Sequence, residues 1–195
     1  GVQTCALPIY TGGSIRIPGA FCGIAGLKPT FGRISCYGVY PLGPTLDHIG
    51  PMARSVVDVG ILYQVLAGFD RQDGYSASHP LGEISLRKSL QGLRAGVPAS
   101  YFNEDVHPDV AAAFARVPAI LEEMGASVST VKLPNMARLT EVSRNALLVE
   151  GHAGHARHLA EQPNDLGADV KLIIERGAAI SAHDYVNYQL ERNRF

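Results

Sequence analysis

The 195 residues are 46% hydrophobic and 18% charged, with a formal net charge of −1, the balance of a globular domain able to bury a core. Basic residues are scattered rather than clustered, which excludes nucleic acid as a direct partner. The apolar Ala6–Ile9 follows no basic segment and is far too short for a signal or a membrane span, and the three cysteines fit neither a metal site nor a disulfide framework.

In chain order, the first informative segment is Thr11-Gly12-Gly13-Ser14, followed by an apolar stretch carrying Ile15, Ile17, Phe21, Cys22, Ile24 and Leu27. A flexible Gly-Gly-Ser linker would continue polar. This stretch is expected to be buried, Cys22 included, and its repeated glycines imply close backbone approach or positive φ. A serine behind two glycines suits a nucleophile, because N–H groups without side chains in the way can receive an oxygen as it becomes negative.

From Gly19 to Pro51 the many Gly and Pro residues read as short strands and loops. Ser55 with Asp58 forms a capping signature for a helix carrying Val56, Val59, Leu62, Tyr63 and Leu66 on one face and ending at Gly68. Residues 70–74 form a polar turn. Residues 93–98 read as a strand, 108–124 as a helix with Val110, Phe114, Val117, Leu121 and Met124 on its inner stripe, and 126–133 as a second strand, together a βαβ unit with a parallel pair. Pro118 predicts a bend near residues 114–118. Helices follow from 138 to about 159, from 168 to 177, and from a Ser181 cap through Arg194.

The segment Thr11–Ser35 and the following block Ser35–Arg54, with its Gly-Pro-Thr-Leu-Asp-His-Ile-Gly-Pro run, closely resemble the amidase signature family. The resemblance implies a mixed β-sheet layered with helices (α/β class), with this chain as the middle portion of one amidase domain over residues 10–195. It implies carbon–nitrogen amide hydrolysis through an acyl-enzyme on Ser14, with an oxyanion hole made by the backbone of Thr11, Gly12, Gly13 and Ser14. No metal or organic cofactor is implied; the partner is a small-molecule amide, with a homodimer possible, and the expected location is cytoplasmic. In the family a lysine activates the serine through a second serine, both upstream; no Lys or Ser precedes Ser14 here. The chain by itself is therefore expected to be inert.

Gly1–Ile9 has no counterpart in the family and resembles the translation of a common short-read sequencing adapter. Tyr10, where the family has Asp, then reads as a junction codon. Two further readings stand beside the amidase: the A subunit of a tRNA-dependent glutamine amidotransferase, which usually has Gln where this chain has Ile17, and a non-catalytic structural fragment.

Three other groups invite catalytic or metal readings. Asp47-His48 is expected to anchor a loop rather than supply a triad. His152, His155 and His158 are expected on a solvated helix face, since steps of three residues spread them around the helix. Arg16 stays protonated and Lys28 lies in an extended segment, so neither replaces the missing base.

Overall fold

The computed structural model describes residues 8–82, 84 and 89–195. The adapter-like segment lies, through residue 7, outside the described residues. The chain divides into two compact units, one of Gly1–Ile84 with Val142–Asn193 and one of Ser85–Glu141 with Arg194–Phe195.

In the first unit β1 (Ile9–Tyr10) leads through Thr11–Ile15 into α1 (Arg16–Cys22), followed by β2 (Ala25–Gly26), β3 (His48–Ile49), β4 (Met52–Ala53) and α2 (Val56–Leu66). β1 pairs antiparallel with β3, Tyr10 opposite His48, and β2 pairs antiparallel with β4. Loops dominate between β2 and β3, as the Gly and Pro content predicts. Ser55 caps α2 by accepting the Asp58 N–H, while Ala67, in extended conformation, ends it one residue before the expected glycine. Ile34, Ile49 and Ala67 form a small core, with Cys36, Val39, Tyr63 and Leu66 packed against it.

α1 is a helix where the sequence reads as strand and loop. Pro18 is tolerated because it sits in the first turn, where the N–H has no intrahelical acceptor to lose. Winding this stretch into a helix also corrects the expectation that it is buried throughout. Ile15 is fully buried, but Phe21 is 88% exposed and Cys22 is exposed, because a helix turns part of its surface outward.

The second unit holds the predicted βαβ order. β5 (Arg94–Pro98) and β6 (Ser127–Val131) pair in parallel, and the intervening helix breaks at Arg116 into α3 (Pro108–Ala115) and α4 (Val117–Glu123), as Pro118 requires. The stripe expected to face inward is only partly covered: Val110 and Phe114 are exposed and line an open apolar groove of about 340 Å³ with Val97, Phe102 and Pro118.

α5 (Met136–Glu161), α6 (Ala168–Glu175), a 3-10 turn at Arg176–Ala179 and α7 (Ala182–Arg192) complete the chain. Ser181 caps α7 through the Asp184 N–H. No helix among the described residues is long and apolar enough to cross a membrane.

Candidate active site

The Thr11–Ser14 loop is held at both ends and open in the middle. On its C-terminal side Ile15 is fully buried, and a Cβ at Gly26 of β2 would lie 2.8 Å from its Cγ2, so the strand can approach only as glycine. Gly13, at φ +151°, accepts the Ile17 N–H at 2.8 Å, and a Cβ there would lie 2.6 Å from Ile17 Cδ1. Gly26 is thus demanded by contact, and Gly13 by its backbone conformation. Between buried Gly13 and buried Ile15, Ser14 faces outward. Among the described residues, the Ser14 hydroxyl and the N–H groups of Gly12, Gly13 and Ser14 take part in no hydrogen bond.

On the N-terminal side, Thr11 is buried and its hydroxyl donates to Asp47 Oδ1 at 2.6 Å. The other carboxylate oxygen of Asp47 accepts the N–H groups of Leu42 (2.9 Å) and Gly43 (3.0 Å). Asp47 is therefore a loop anchor, as expected. His48 is one too: its Nδ1 lies 2.6 Å from the Leu46 carbonyl, and its ring meets Phe31 edge to face at 5.3 Å.

A second buried carboxylate, Glu150 on α5, fastens the same loop one turn further on. It accepts the Thr45 N–H (2.9 Å) and hydroxyl (2.5 Å), the Tyr185 hydroxyl (3.0 Å) and the Gln189 amide (2.9 Å), and Arg192 reaches the Thr45 hydroxyl at 3.0 Å. Burial, then the hydrogen bond and charge of Glu150, push the Tyr185 phenol above its usual range. The sequence reading misses this cluster. Its one available signal is a carboxylate directly after the apolar Leu147-Leu148-Val149 run, on the side of α5 that must be buried.

The histidines of α5 are not a solvated face. His155 is buried, its Nδ1 3.0 Å from the Gly151 carbonyl and its ring against Tyr40 at 4.9 Å; His158 lies 3.8 Å from Asp165. Contacts from a distant loop cover what local spacing leaves exposed. Among the described residues, no group of three or more His, Cys, Asp or Glu side chains is placed to hold a metal ion.

Lys28 Nζ donates to the Pro29 carbonyl at 2.5 Å, and burial, then the nearby Arg16 charge, lower its pKa. Burial, then Asp73 and Asp47, raise the Cys36 thiol instead, whereas Cys22 is exposed. Near neutral pH a thiol-alkylating reagent should therefore modify Cys22 about 10-fold faster than Cys36. Peptide mass spectrometry checks this, and equal rates would contradict it.

The paired short strands and the helices make this an α/β-class chain. Residues 5–195 match the model of the Amidase family, and the chain belongs to that family. An amidase of Pseudomonas putida is 39% identical over 185 residues, which cover 93% of this chain and 40% of that protein. The glutamyl-tRNA(Gln) amidotransferase of Chloroflexus aggregans has an A subunit that is 47% identical over 137 residues, covering 69% of this chain and 28% of its own length. A solved amidase superposes with a TM-score of 0.81 at 33% identity, over 97% of this chain and 40% of that one. The chain thus spans well under half the length of the relatives it matches.

Proposed function

We propose that the whole protein hydrolyses a small-molecule amide through a covalent acyl-enzyme on Ser14, with these residues forming the central part of its catalytic domain. The observation that carries this reading is exposed Ser14 at the end of the Thr11–Ser14 loop, where the N–H groups of Gly12, Gly13 and Ser14 take part in no hydrogen bond among the described residues. Ser14 Oγ attacks the carbonyl carbon and its proton passes to a base, and the N–H groups receive the oxyanion of the tetrahedral intermediate. Collapse breaks the carbon–nitrogen bond, and the amine leaves with a proton. Water then attacks the ester carbonyl and frees Ser14.

The base is the Lys–Ser pair that the family resemblance implies, supplied outside these residues. Arg16 carries donors and no acceptor, and Lys28 donates to the Pro29 carbonyl. A serine-directed phosphonate is expected to label Ser14 in the whole protein; absence of Ser14 labelling there would overturn the assignment. The reading places the enzyme in the cytoplasm with its thiols reduced, acting alone or as a homodimer.

A second reading, the A subunit of a glutamine amidotransferase, is favoured by the identity to the Chloroflexus aggregans protein. Against it stands Ile17, where the sequence resemblance leads one to expect Gln in such subunits. Glutamine hydrolysis that appears only with a second protein bound would select this second reading; hydrolysis of simple amides without a partner selects the first.

A further inference from the structure

We propose that Asp47 is a positioning residue for the oxyanion-binding N–H groups, acting through the Thr11 hydroxyl; this rests on the assignment of Ser14 as the nucleophile. β1 and β3 pair for two residues, Ile9 with Ile49 and Tyr10 with His48. Continued by one step, that antiparallel register sets Thr11 opposite Asp47. At that step the bond between the two strands becomes a side-chain one, Thr11 Oγ1 to Asp47 Oδ1 at 2.6 Å, with both residues buried. The chain leaves the sheet there and enters Gly12-Gly13-Ser14.

Of those three residues only Gly13 is tied locally, its carbonyl accepting the Ile17 N–H at 2.8 Å. Gly12 is exposed, and a Cβ added to it would meet nothing within 4 Å. Their path is set from outside, by buried Ile15 on one side and by the Thr11–Asp47 bond on the other. Asp47 is itself fixed by the N–H groups of Leu42 and Gly43, and by its own N–H on the Gly43 carbonyl at 2.8 Å. Releasing one of the two external anchors leaves the N–H donors free to drift. A misplacement of about 1 Å at a reacting centre costs on the order of 100-fold in rate.

The hydroxyl of Thr11 is both donor and acceptor, which makes a conservative rescue possible. An asparagine at 47 can offer its carbonyl to Leu42 and Gly43 and its amide N–H to Thr11 Oγ1. A purely structural role predicts a different pattern: less folded protein, with unchanged turnover per folded molecule.

The test is steady-state amide hydrolysis by the whole protein, corrected for the folded fraction. Asp47→Ala is expected to lower kcat about 100-fold with KM within about 3-fold, and Asp47→Asn to recover to within several-fold of the parent. Thr11→Val should match Asp47→Ala, and the double variant should lose no more than either single one, since both remove one interaction. If Asp47→Ala does not fold, Thr11→Val with Asp47→Asn carries the same decision. Folded Asp47→Ala or Thr11→Val turning over within about 3-fold of the parent overturns the proposal. A Ser14→Ala variant that still turns over overturns the nucleophile assignment instead, so the two failures are told apart.

Discussion

Ser14→Ala in the whole protein is expected to lower kcat by about 10⁴-fold or more, with substrate binding retained. The size of the loss follows from what the hydroxyl does and from what it does not do. Among the described residues it has no hydrogen-bond partner, and the residue is exposed, so its removal leaves no buried group unsatisfied and no cavity. Exposed substitutions of this kind change stability by about 0.5 kcal/mol or less. The lost rate is therefore chemical. A remnant of catalysis above the background should persist, because the substitution leaves the backbone N–H groups of the proposed oxyanion hole in place. Steady-state kinetics, ligand binding and a denaturation curve on the same preparation check all three statements. Turnover within 10-fold of the parent, with binding intact, would remove Ser14 from its role.

The parts of the fold that are legible in the sequence are those written in short-range signals. Ser55 with Asp58 and Ser181 with Asp184 each place a helix start within a residue, because a cap is a contact across three positions. Pro118 announces the break between α3 and α4 for an equally local reason. α1 is not legible, since Pro18, Gly19 and Gly23 all speak for a turn; only the placement of Pro18 in the first turn makes a helix compatible with them. The stripe from Val110 to Met124 is legible as apolar but not as half-covered, because periodicity reports which residues prefer burial and not whether something covers them.

The candidate site divides in the same way. Thr11-Gly12-Gly13-Ser14 is contiguous, so the sequence offers a candidate nucleophile directly, and the family resemblance supplies its expected acyl-transfer role. The bonds that hold the loop are tertiary: Asp47 reaches Thr11 across 36 positions, and Glu150 reaches Thr45 across 105. No periodicity or spacing carries such a pair. Asp47 reads as a loop anchor from its place beside His48, but its partner is not readable, and Glu150 passes as one more helical carboxylate.

Glu150→Ala is expected to destabilise the fold by about 3 kcal/mol, a large fraction of the margin of an ordinary domain. Four donor contacts converge on this buried carboxylate. One of the donors keeps an alternative acceptor when it is removed, because Gln189 still donates to the Tyr185 hydroxyl at 2.8 Å, whereas Arg192 only donates to the Thr45 hydroxyl at 3.0 Å and leaves that hydroxyl's proton without an acceptor. The Thr45 N–H keeps none among the described residues, and an empty volume opens beside Leu147 and Gly43. Glu150→Gln should cost less but not nothing, since an amide N–H then faces either the Thr45 N–H or the Gln189 amide, whichever way it turns. Urea midpoints order the three proteins as parent, Gln, Ala. The phenol of Tyr185 supplies a pH signature. Its folded pKa lies above the ordinary 10.0, so the native state keeps a proton that the unfolded chain releases. The stability this contributes is whole below the unfolded value and is lost as pH rises through the folded one. Removing Glu150 takes away two of the causes of that upward shift, so the alkaline fall in stability should be shallower in Glu150→Ala than in the parent. A midpoint unchanged by Glu150→Ala, or an alkaline limb of equal slope, would mean that the carboxylate fastens neither the loop nor Tyr185.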